Sequence, residues 1–519
     1  MKLKHTNTAG FMAKMMAFLF IPLLWSCEKE LTNTQNDITP YAYQKLDETG
    51  GTWRPILLQN GSEIAVPAPD SVSSAAYQAE LRSLETIANP TEAQKATINY
   101  WGSNALVRWN EIARELCAKY NLPPAEDSSG KYPFPNAANP SVYPYFPFAN
   151  PPYVSRALAY WGTAQFDALI SAWHYKYAYN RPAPYKTNAN IKTVLPQNNL
   201  PSYPSEDAVI AAVSVEILGA MFPVEKEYLK AKAAEHTQSR LLAGANTQSD
   251  LDAGTALGKA VAAKFIARSK TDGMKNAVGN QAKWDSIAYS AKERSSDGIW
   301  LSVEWPRRPP MLPLFGKVKP WCFTDIRTTR PAAPPAIGSP EFGKNMQELE
   351  DIAKNLSNEQ RRIANFWADG AGTYTPPGHW NRAASGYIVD AKENPLRTAR
   401  SFAYLNMSLM DAAISCWETK YYYCYPRPVQ VNRSFKSVLG TPNFPSYTSG
   451  HSTFSGAAAA VLGHLYPSKA TDADAMAKQA SDSRMYGGIH YRFDCEVGLQ
   501  VGKTVGDASN AIARLDGAE

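Results

Sequence analysis

The residues best suited to chemistry are basic and imidazole side chains gathered in the last fifth of the 519-residue chain. In chain order they are Lys420, Arg427, Ser449, Gly450, His451, Arg484, His490 and the carboxylate Asp494. Two arginines and a lysine would neutralise an oxyanion of about two to three negative charges, because guanidinium groups offer forked donors and an ammonium offers a point charge. The pattern therefore predicts a site for a tetrahedral oxyanion.

The remaining members of this set fit the same chemistry. Ser449 and Gly450 lie at the predicted start of a helix, where backbone N–H groups and the helix dipole favour an anion and a glycine permits close approach. His451 and His490 add groups that titrate near neutral pH. Asp494, four residues after His490, would fix the tautomer of that imidazole.

Taken together, these residues resemble the three motifs of the type 2 phosphatidic acid phosphatase and vanadium haloperoxidase superfamily. The motifs in this chain are Lys420-x6-Arg427-Pro428, Ser449-Gly450-His451 and Ser483-Arg484-x5-His490-x3-Asp494. The resemblance covers the C-terminal half. Thr448 stands where the family usually has proline, a departure that affects the stiffness of the loop more than its chemistry.

For the haloperoxidase branch, the resemblance implies that vanadate is the cofactor, that phosphate can occupy the same site, and that His490 is the axial ligand to vanadium. It implies that His451 hydrogen-bonds the apical oxygen and handles protons while hydrogen peroxide and a halide react. It further implies the residues that hold the equatorial oxygens, which are Lys420, Arg427, Ser449, Gly450 and Arg484. Trp417 and Phe444 match positions that line the vanadate pocket.

Two alternatives stay open. In the phosphatase branch, His490 would attack a soluble phosphate ester to form a phosphohistidine, and His451 would protonate the leaving oxygen. The third possibility is an oxyanion-binding lipoprotein without catalysis. We favour the peroxidase because of the Trp417 and Phe444 walls and the two-bundle layout, and because the segments 330–342 and 366–381 resemble bacterial haloperoxidase-like sequences. We assign no direct chemistry to His379 or His464.

The chain also contains a similar segment twice, at an offset of 244 residues. Matching pairs include Ser155–Tyr160 with Ala399–Tyr404, Lys176 with Lys420, Pro201–Tyr203 with Pro445–Tyr447, and Arg240 with Arg484. Apolar residues recur at helical spacing, and alternating strand patterns are scarce. We therefore predict an all-α fold of two tandem helical bundles related by internal duplication and connected by a Pro-rich segment.

The first copy is predicted to have lost the chemistry. Where the second copy has Gly450, His451 and His490, the first has Glu206, Asp207 and Asn246. Two acids would repel an oxyanion, and both imidazoles are missing. The predicted organisation is a signal peptide over 1–26, a tether over 27–60, a degenerate helical bundle over 61–269, a Pro-rich connector over 270–340, and the catalytic bundle over 341–519.

The N-terminal residues have the pattern of an export signal. Two lysines precede an uninterrupted apolar run, Met15–Trp25, which is too short to span a bilayer that needs about 20 residues. The run ends at Leu23–Cys27, which resembles the lipobox of bacterial lipoproteins. We expect the protein to be exported and anchored in the cell envelope, in the periplasm or on the outer-membrane surface. We expect it to contact the membrane only through a lipid on Cys27.

Composition excludes several other classes of protein. The net charge of +6 falls to +3 without the three lysines of the first 26 residues, too little to indicate a nucleic-acid partner. The chain has no Walker loop, no Rossmann fingerprint and no CxxC motif. Five cysteines follow Cys27, so at least one would be a free thiol. The sequence assigns no halide preference, organic acceptor or oligomeric state.

Overall fold

The computed structural model describes residues 38–87, 89–123, 147–295, 298–304 and 308–519. The predicted signal peptide and Cys27 lie outside this range. The described residues are helical and contain no strand, which confirms the all-α fold class. Among them, no helix combines the length and the apolar character needed to cross a membrane. Residues 38–519 form one compact unit, and the five described cysteines are all free thiols.

The described part of the chain forms fifteen helices of nine or more residues. The first eight are α1 (Ala75–Thr86), α2 (Glu92–Gly102), α3 (Ala105–Tyr120), α4 (Pro151–Tyr179), α5 (Glu206–Met221), α6 (Lys226–Leu242), α7 (Gln248–Thr271) and α8 (Gln281–Arg294). The others are α9 (Pro340–Lys354), α10 (Asn358–Phe366), α11 (Thr375–Asp390), α12 (Pro395–Tyr423), α13 (Gly450–Leu465), α14 (Ala470–Tyr486) and α15 (Arg492–Ala513). Single helical turns at Pro184–Thr187 and Pro428–Val431 follow the two longest helices.

The two longest helices, α4 and α12, are built alike. Each has 29 residues and begins after an asparagine cap followed by proline, a favourable first residue because its missing N–H would have no helical partner. Each ends at a residue in the left-handed conformation, Asn180 or Cys424. The helix pairs α5 and α13, α6 and α14, and α7 and α15 also begin 244 residues apart. The order of helices therefore recurs along the chain, whereas the duplication itself stays a prediction.

The two halves share one hydrophobic core along the contact of α4 with α12. Aromatic rings meet edge to face across it, Trp161 with Phe402 and Phe166 with Tyr404, and all four are fully buried. The helices approach so closely at Gly162 that an added Cβ would lie 2.9 Å from the carbonyl oxygen of Phe402. Only glycine permits this approach.

A buried amide network joins α3 of the N-terminal half to the C-terminal half. Asn110 donates from Nδ2 to Oδ1 of Asn381 (2.8 Å), and Asn381 donates from Nδ2 to Oδ1 of Asn406 (2.7 Å). All three side chains are fully buried. Because buried polar groups are costly unless they are paired, this network fixes the position of α3 on α11 and α12.

Equivalent aspartates on the two long helices bind irregular segments. Asp167 on α4 accepts hydrogen bonds from the backbone N–H groups of residues 56, 57 and 58, at 2.6 to 2.9 Å. Asp411 on α12 accepts from those of Trp321 (2.8 Å) and Cys322 (2.7 Å). Each carboxylate thus ties a non-helical segment to the shared core, and the second segment belongs to the predicted connector.

Candidate active site

The site begins at the last turn of α12, where Lys420 is completely buried. Its Nζ donates to the carbonyl oxygens of Pro445 (2.8 Å), Ser446 (2.8 Å) and Thr448. Burial lowers the pKa of the ammonium to about 7. Lys420 therefore ties the loop that precedes α13 to the end of α12.

The start of α13 has room beside its first residue. Ser449 is its N-cap and accepts from the N–H of Ser452 (3.3 Å), and Gly450 is its first residue. Among the described residues, a Cβ added at the buried Gly450 would meet only the Trp417 ring, at 3.9 Å, so there is room beside this glycine. The first backbone N–H groups of a helix have no helical partner and attract an anion.

His490 is held in a single tautomer. Its Nδ1 lies 2.8 Å from Oδ2 of Asp494, and its Nε2 lies 2.9 Å from Nη1 of Arg427. Since a guanidinium only donates, Nε2 must be the acceptor, and the imidazole proton resides on Nδ1. Burial, and after it the charge of Arg427, lowers the pKa of His490 well below its usual range. The ring is therefore neutral, with a lone pair on Nε2.

Asp494 is completely buried and is held by more than the histidine. Its Oδ2 also accepts from the Ser446 hydroxyl and from the N–H of Tyr491 (3.2 Å), while its Oδ1 has no partner. Burial raises the pKa of this carboxyl to about 6.

Both arginines of the site are also buried. Arg427 donates to the carbonyl oxygens of Phe444 (3.1 Å) and Ile489 (2.7 Å), while its Nη2 has no partner. Arg484, in the last turn of α14, donates to the hydroxyl of Ser483 (2.8 Å) and to the carbonyl oxygen of Trp367. Burial lowers the pKa of each guanidinium to about 10.

One cavity of about 420 Å³ brings part of the predicted set together. The predicted residues that line it are Trp417, Phe444, Gly450, His451, Arg484 and His490. The others lie behind this lining, and they are Lys420, Arg427, Ser449 and Asp494. Nζ of Lys420 and Cζ of Arg427 each lie 5.1 Å from the centre of the Phe444 ring, and Nη1 of Arg427 lies 2.9 Å from Nε2 of His490, so both contact residues of the lining. The sequence analysis expected all of these residues to face one pocket. The structure places six of them in the lining and four in a second layer next to it.

Asp369 lines the same cavity, although the sequence analysis assigned no role to it. Its carboxylate lies 3.1 Å from Nδ1 of His379 and 3.8 Å from Nε2 of His451. His379 stacks on Trp367 with ring centres 4.2 Å apart, so it supports Asp369 from behind. Burial, followed by the charge of Arg484, lowers the pKa of His451 well below its usual range. The segment 366–381 resembles bacterial haloperoxidase-like sequences, but no pattern within it singles out Asp369.

The cavity wall is completed from outside the C-terminal bundle. Asn121, Phe148 and Pro151 come from the N-terminal half, and Arg308 and Met311 come from the connector. His464 lies elsewhere and pairs with Glu519 at 3.0 Å.

The corresponding positions of the first copy are filled by carboxylates of the chain itself. Lys176 pairs with Glu206 at 2.6 Å, and both side chains are largely buried. Asp207 pairs with His236 at 2.9 Å and approaches Arg240 at 3.8 Å. Glu206 stands at the position of Gly450, so a side-chain carboxylate replaces the room beside that glycine in the second copy.

The charges of the second copy suit a bound oxyanion. Three buried cations, Lys420, Arg427 and Arg484, face two carboxylates, Asp369 and Asp494. Burial is the main cause of the lowered pKa values of these three groups. Among the described residues, Nη2 of Arg427 is a buried donor without a partner, which a bound anion would satisfy. Within the described residues, no cluster of three or more His, Cys, Asp or Glu side chains could hold a metal ion. An oxyanion held by cations and a single imidazole therefore fits these residues better than a metal cation would.

Comparison with known proteins supports this geometry. Residues 401–512 match the family described as the PAP2 superfamily, which confirms the superfamily predicted from the motifs. The structure is similar to that of a bacterial vanadium-dependent iodoperoxidase, with a TM-score of 0.56 and 23% identity over 70% of this chain and 90% of that one. It is also similar to the apo form of a bacterial vanadium-dependent chloroperoxidase, with a TM-score of 0.50 and 14% identity over 70% of this chain and 94% of that one. These similarities concern the fold. No curated protein sequence gives a significant match.

Proposed function

We propose that the C-terminal bundle, whose residues 401–512 match the PAP2 superfamily, is the catalytic part of a haloperoxidase-like enzyme that oxidises halide with hydrogen peroxide at bound vanadate. The observation that carries the proposal is the neutral imidazole of His490. His490 lines a cavity together with Arg484, His451 and Gly450, and its Nε2 carries a lone pair that accepts from Nη1 of Arg427 until a ligand replaces that donor.

The residues divide into those that would hold the cofactor and those that would manage protons. His490 would ligate vanadium through Nε2, and the oxygens would be held by Lys420, Arg427, Ser449, Gly450 and Arg484. When bound, vanadate supplies the activation of hydrogen peroxide toward a halide. Because Nη1 of Arg427 already donates to Nε2 of His490, this donor must turn to an oxygen of the anion when the nitrogen becomes a ligand.

The remaining side chains prepare the environment. His451 would hold or release a proton at Nε2, which has no hydrogen-bond partner among the described residues and lies 3.8 Å from the Asp369 carboxylate. Trp417 and Phe444 pack with ring centres 5.1 Å apart and exclude water from one side of the cavity. A drier site strengthens every electrostatic interaction with the anion.

A second candidate function, hydrolysis of a soluble phosphate ester, is favoured by the same imidazole. An unprotonated nitrogen surrounded by cations is a suitable nucleophile for phosphorus, and His451 in the same cavity could protonate the leaving oxygen. The two functions differ in cofactor and co-substrate, so an assay of both reactions separates them.

The test is to load the purified protein with orthovanadate and to measure peroxide-dependent oxidation of iodide and bromide. Hydrolysis of a chromogenic phosphate monoester is measured beside it, and His490→Ala is the inactive control for both reactions. We expect halide oxidation that phosphate suppresses by competing for the site. Ester cleavage that vanadate inhibits would favour the phosphatase instead. Absence of both reactions, with vanadate still bound, would favour the non-catalytic alternative.

We also propose that the chain is exported and carries a lipid on Cys27. The support is the short apolar run and the lipobox-like Leu23–Cys27, which lie outside the described residues. Mass spectrometry of the N-terminal peptide of the mature protein tests this proposal. An unmodified Cys27 in membrane-associated protein would contradict it.

A further inference from the structure

The loop over residues 368–373 forms one rim of the cavity. Ala368, Asp369, Gly370 and Ala371 all line it. Two residues of the loop adopt positive φ values, 44° at Asp369 and 76° at Gly372. A non-glycine residue in this conformation is strained and persists only where its surroundings hold it. The loop that places Asp369 beside His451 therefore needs external support.

That support comes from Asn121, the residue that follows α3 in the N-terminal half. Its Nδ2 donates to the carbonyl oxygens of Gly370 (2.8 Å) and Thr373 (3.0 Å). Its own carbonyl oxygen accepts from the N–H of Gly372 (2.8 Å). Asn121 is 5% exposed, so these three bonds have little competition from water.

Asn121 is carried by a helix that the C-terminal half holds at two other points. Near the middle of α3, Asn110 joins the buried amide network through Asn381. At its start, Nδ2 of Asn104 donates to the hydroxyl of Thr398 on α12 (2.9 Å). Because α3 is fixed along its length, its end can determine where the loop lies.

We propose that Asn121 is a positioning residue of the active site, supplied by the half of the chain that has lost its own oxyanion site. It acts through the loop 368–373, which places the Asp369 carboxylate 3.1 Å from Nδ1 of His379 and 3.8 Å from Nε2 of His451. The proposal rests on the oxyanion site proposed above, and it gives the N-terminal half a role beyond packing.

The test uses three variants of the full chain. Asn121→Ala removes both side-chain donors, and Asn121→Leu removes them while keeping a similar side-chain volume and adding no charge to the cavity wall. Asn104→Ala is the matched control. Asn104 is also a buried asparagine whose Nδ2 donates across the halves, but it caps the start of α3, whereas Asn121 follows the end of that helix. All three variants lose buried hydrogen bonds, so a general loss of stability does not distinguish them.

Two measurements are made on each variant. Hydrogen exchange of the amides in residues 368–373 reports the loop without any ligand, and calorimetric titration with orthovanadate and with phosphate reports the site. We expect faster exchange and about tenfold to hundredfold weaker anion binding in both Asn121 variants, with neither change in Asn104→Ala. In the halide assay we expect the kcat of the Asn121 variants to fall, with the KM for iodide unchanged.

Each contrary result has its own meaning. Loop exchange in Asn121→Ala equal to that of the wild type overturns the role of Asn121, whatever the protein binds. Faster exchange with unchanged anion affinity and kcat shows a purely structural contact and also overturns it. Wild-type protein that binds neither anion overturns the proposed function, and the positioning role with it.

Discussion

At the level of single residues, the chemistry of the site depends mainly on the tautomer and the orientation of the His490 ring. Asp494 holds the proton on Nδ1, and this leaves the Nε2 lone pair for a ligand or for an electrophile. The carboxylate is fixed in turn by Ser446 and by the N–H of Tyr491. The reactive nitrogen is thus oriented by groups that do not line the cavity.

We expect Asp494→Asn to weaken vanadate and phosphate binding by about 10- to 100-fold, because an amide does not fix the tautomer or the orientation of the ring. Calorimetric titration measures the affinity. Asp250→Asn, at the corresponding position of the first copy, is the control and should leave the affinity unchanged. Equal affinities in the wild type and in Asp494→Asn would contradict the role given to Asp494.

Anion binding should also depend on pH through Lys420. Burial lowers its pKa from 10.5 to about 7, so the free folded protein loses this proton, and with it one of the three hydrogen bonds donated by Nζ, as the pH rises through that range. A bound anion favours the ammonium, so binding above pH 7 should take up a proton and affinity should fall as the pH rises. Titrations in buffers of different ionisation enthalpy measure the proton uptake, and Lys420→Met should abolish it. An affinity that is constant across the range would contradict this prediction.

The same shift affects stability with a defined sign. Between pH 7 and 10.5 the unfolded chain binds more protons at this position than the folded protein does. The contribution of Lys420 therefore makes the free energy of unfolding increase with pH across this range.

The sequence predicted which residues form the site better than it predicted how they are arranged around the cavity. Residue type and spacing identified Arg484, His451 and His490, which do share a cavity. The second layer was not foreseen, because a buried cation must satisfy its donors, and Lys420 does so with three backbone carbonyls. Asp369 was missed because its position depends on a left-handed turn and on contacts from a distant part of the chain.

Among the elements, the long helices were the most predictable. The apolar spacing after Arg400 indicated the buried face of α12, and an asparagine before a proline marks the starts of α4 and α12. The segments tied to Asp167 and Asp411 were not predictable. Irregular backbone has no period, and a single aspartate on a buried helix face does not reveal what it binds.

We expect Asp411→Asn to lower the free energy of unfolding by about 1–3 kcal/mol, because an amide turns an NH₂ group toward one of the two N–H donors. Chemical denaturation above pH 7 measures it, since burial raises the pKa of this carboxyl to about 6. Asp507→Asn, on the exposed face of α15, is the control and should be nearly neutral. A loss no greater than that of the control would show that Asp411 does not hold the connector.

On the scale of the whole molecule, two similar halves have unlike sites around one core. The first copy keeps Lys176 and Arg240 but supplies its own anions, Glu206 and Asp207. The fold class could be predicted because apolar residues recur at helical spacing in both segments, whereas the internal duplication stays a prediction. The shared core and the mixed cavity wall could not, because periodicity reveals which face is buried but not what covers it.

The wild type should therefore bind a single oxyanion per chain. We also expect Glu206→Gln to destabilise the folded protein. The substitution removes the carboxylate that pairs with the completely buried Lys176 at 2.6 Å and leaves only longer-range interactions with Asp207 and Asp250. We expect this to lower the free energy of unfolding by about 3–5 kcal/mol. Chemical denaturation measures the loss, and Glu216→Gln on the same helix is the control. Wild-type stability in Glu206→Gln would show that the carboxylate is not the internal counter-ion.

The close contact at Gly162 has a consequence for engineering. An added methyl group there would collide with the backbone of Phe402, so the distance between α4 and α12 depends on position 162 having no side chain. Any larger side chain at position 162 would therefore force α4 and α12 apart or bend one of them. Because both helices belong to the shared core, the strain would reach the two halves at once.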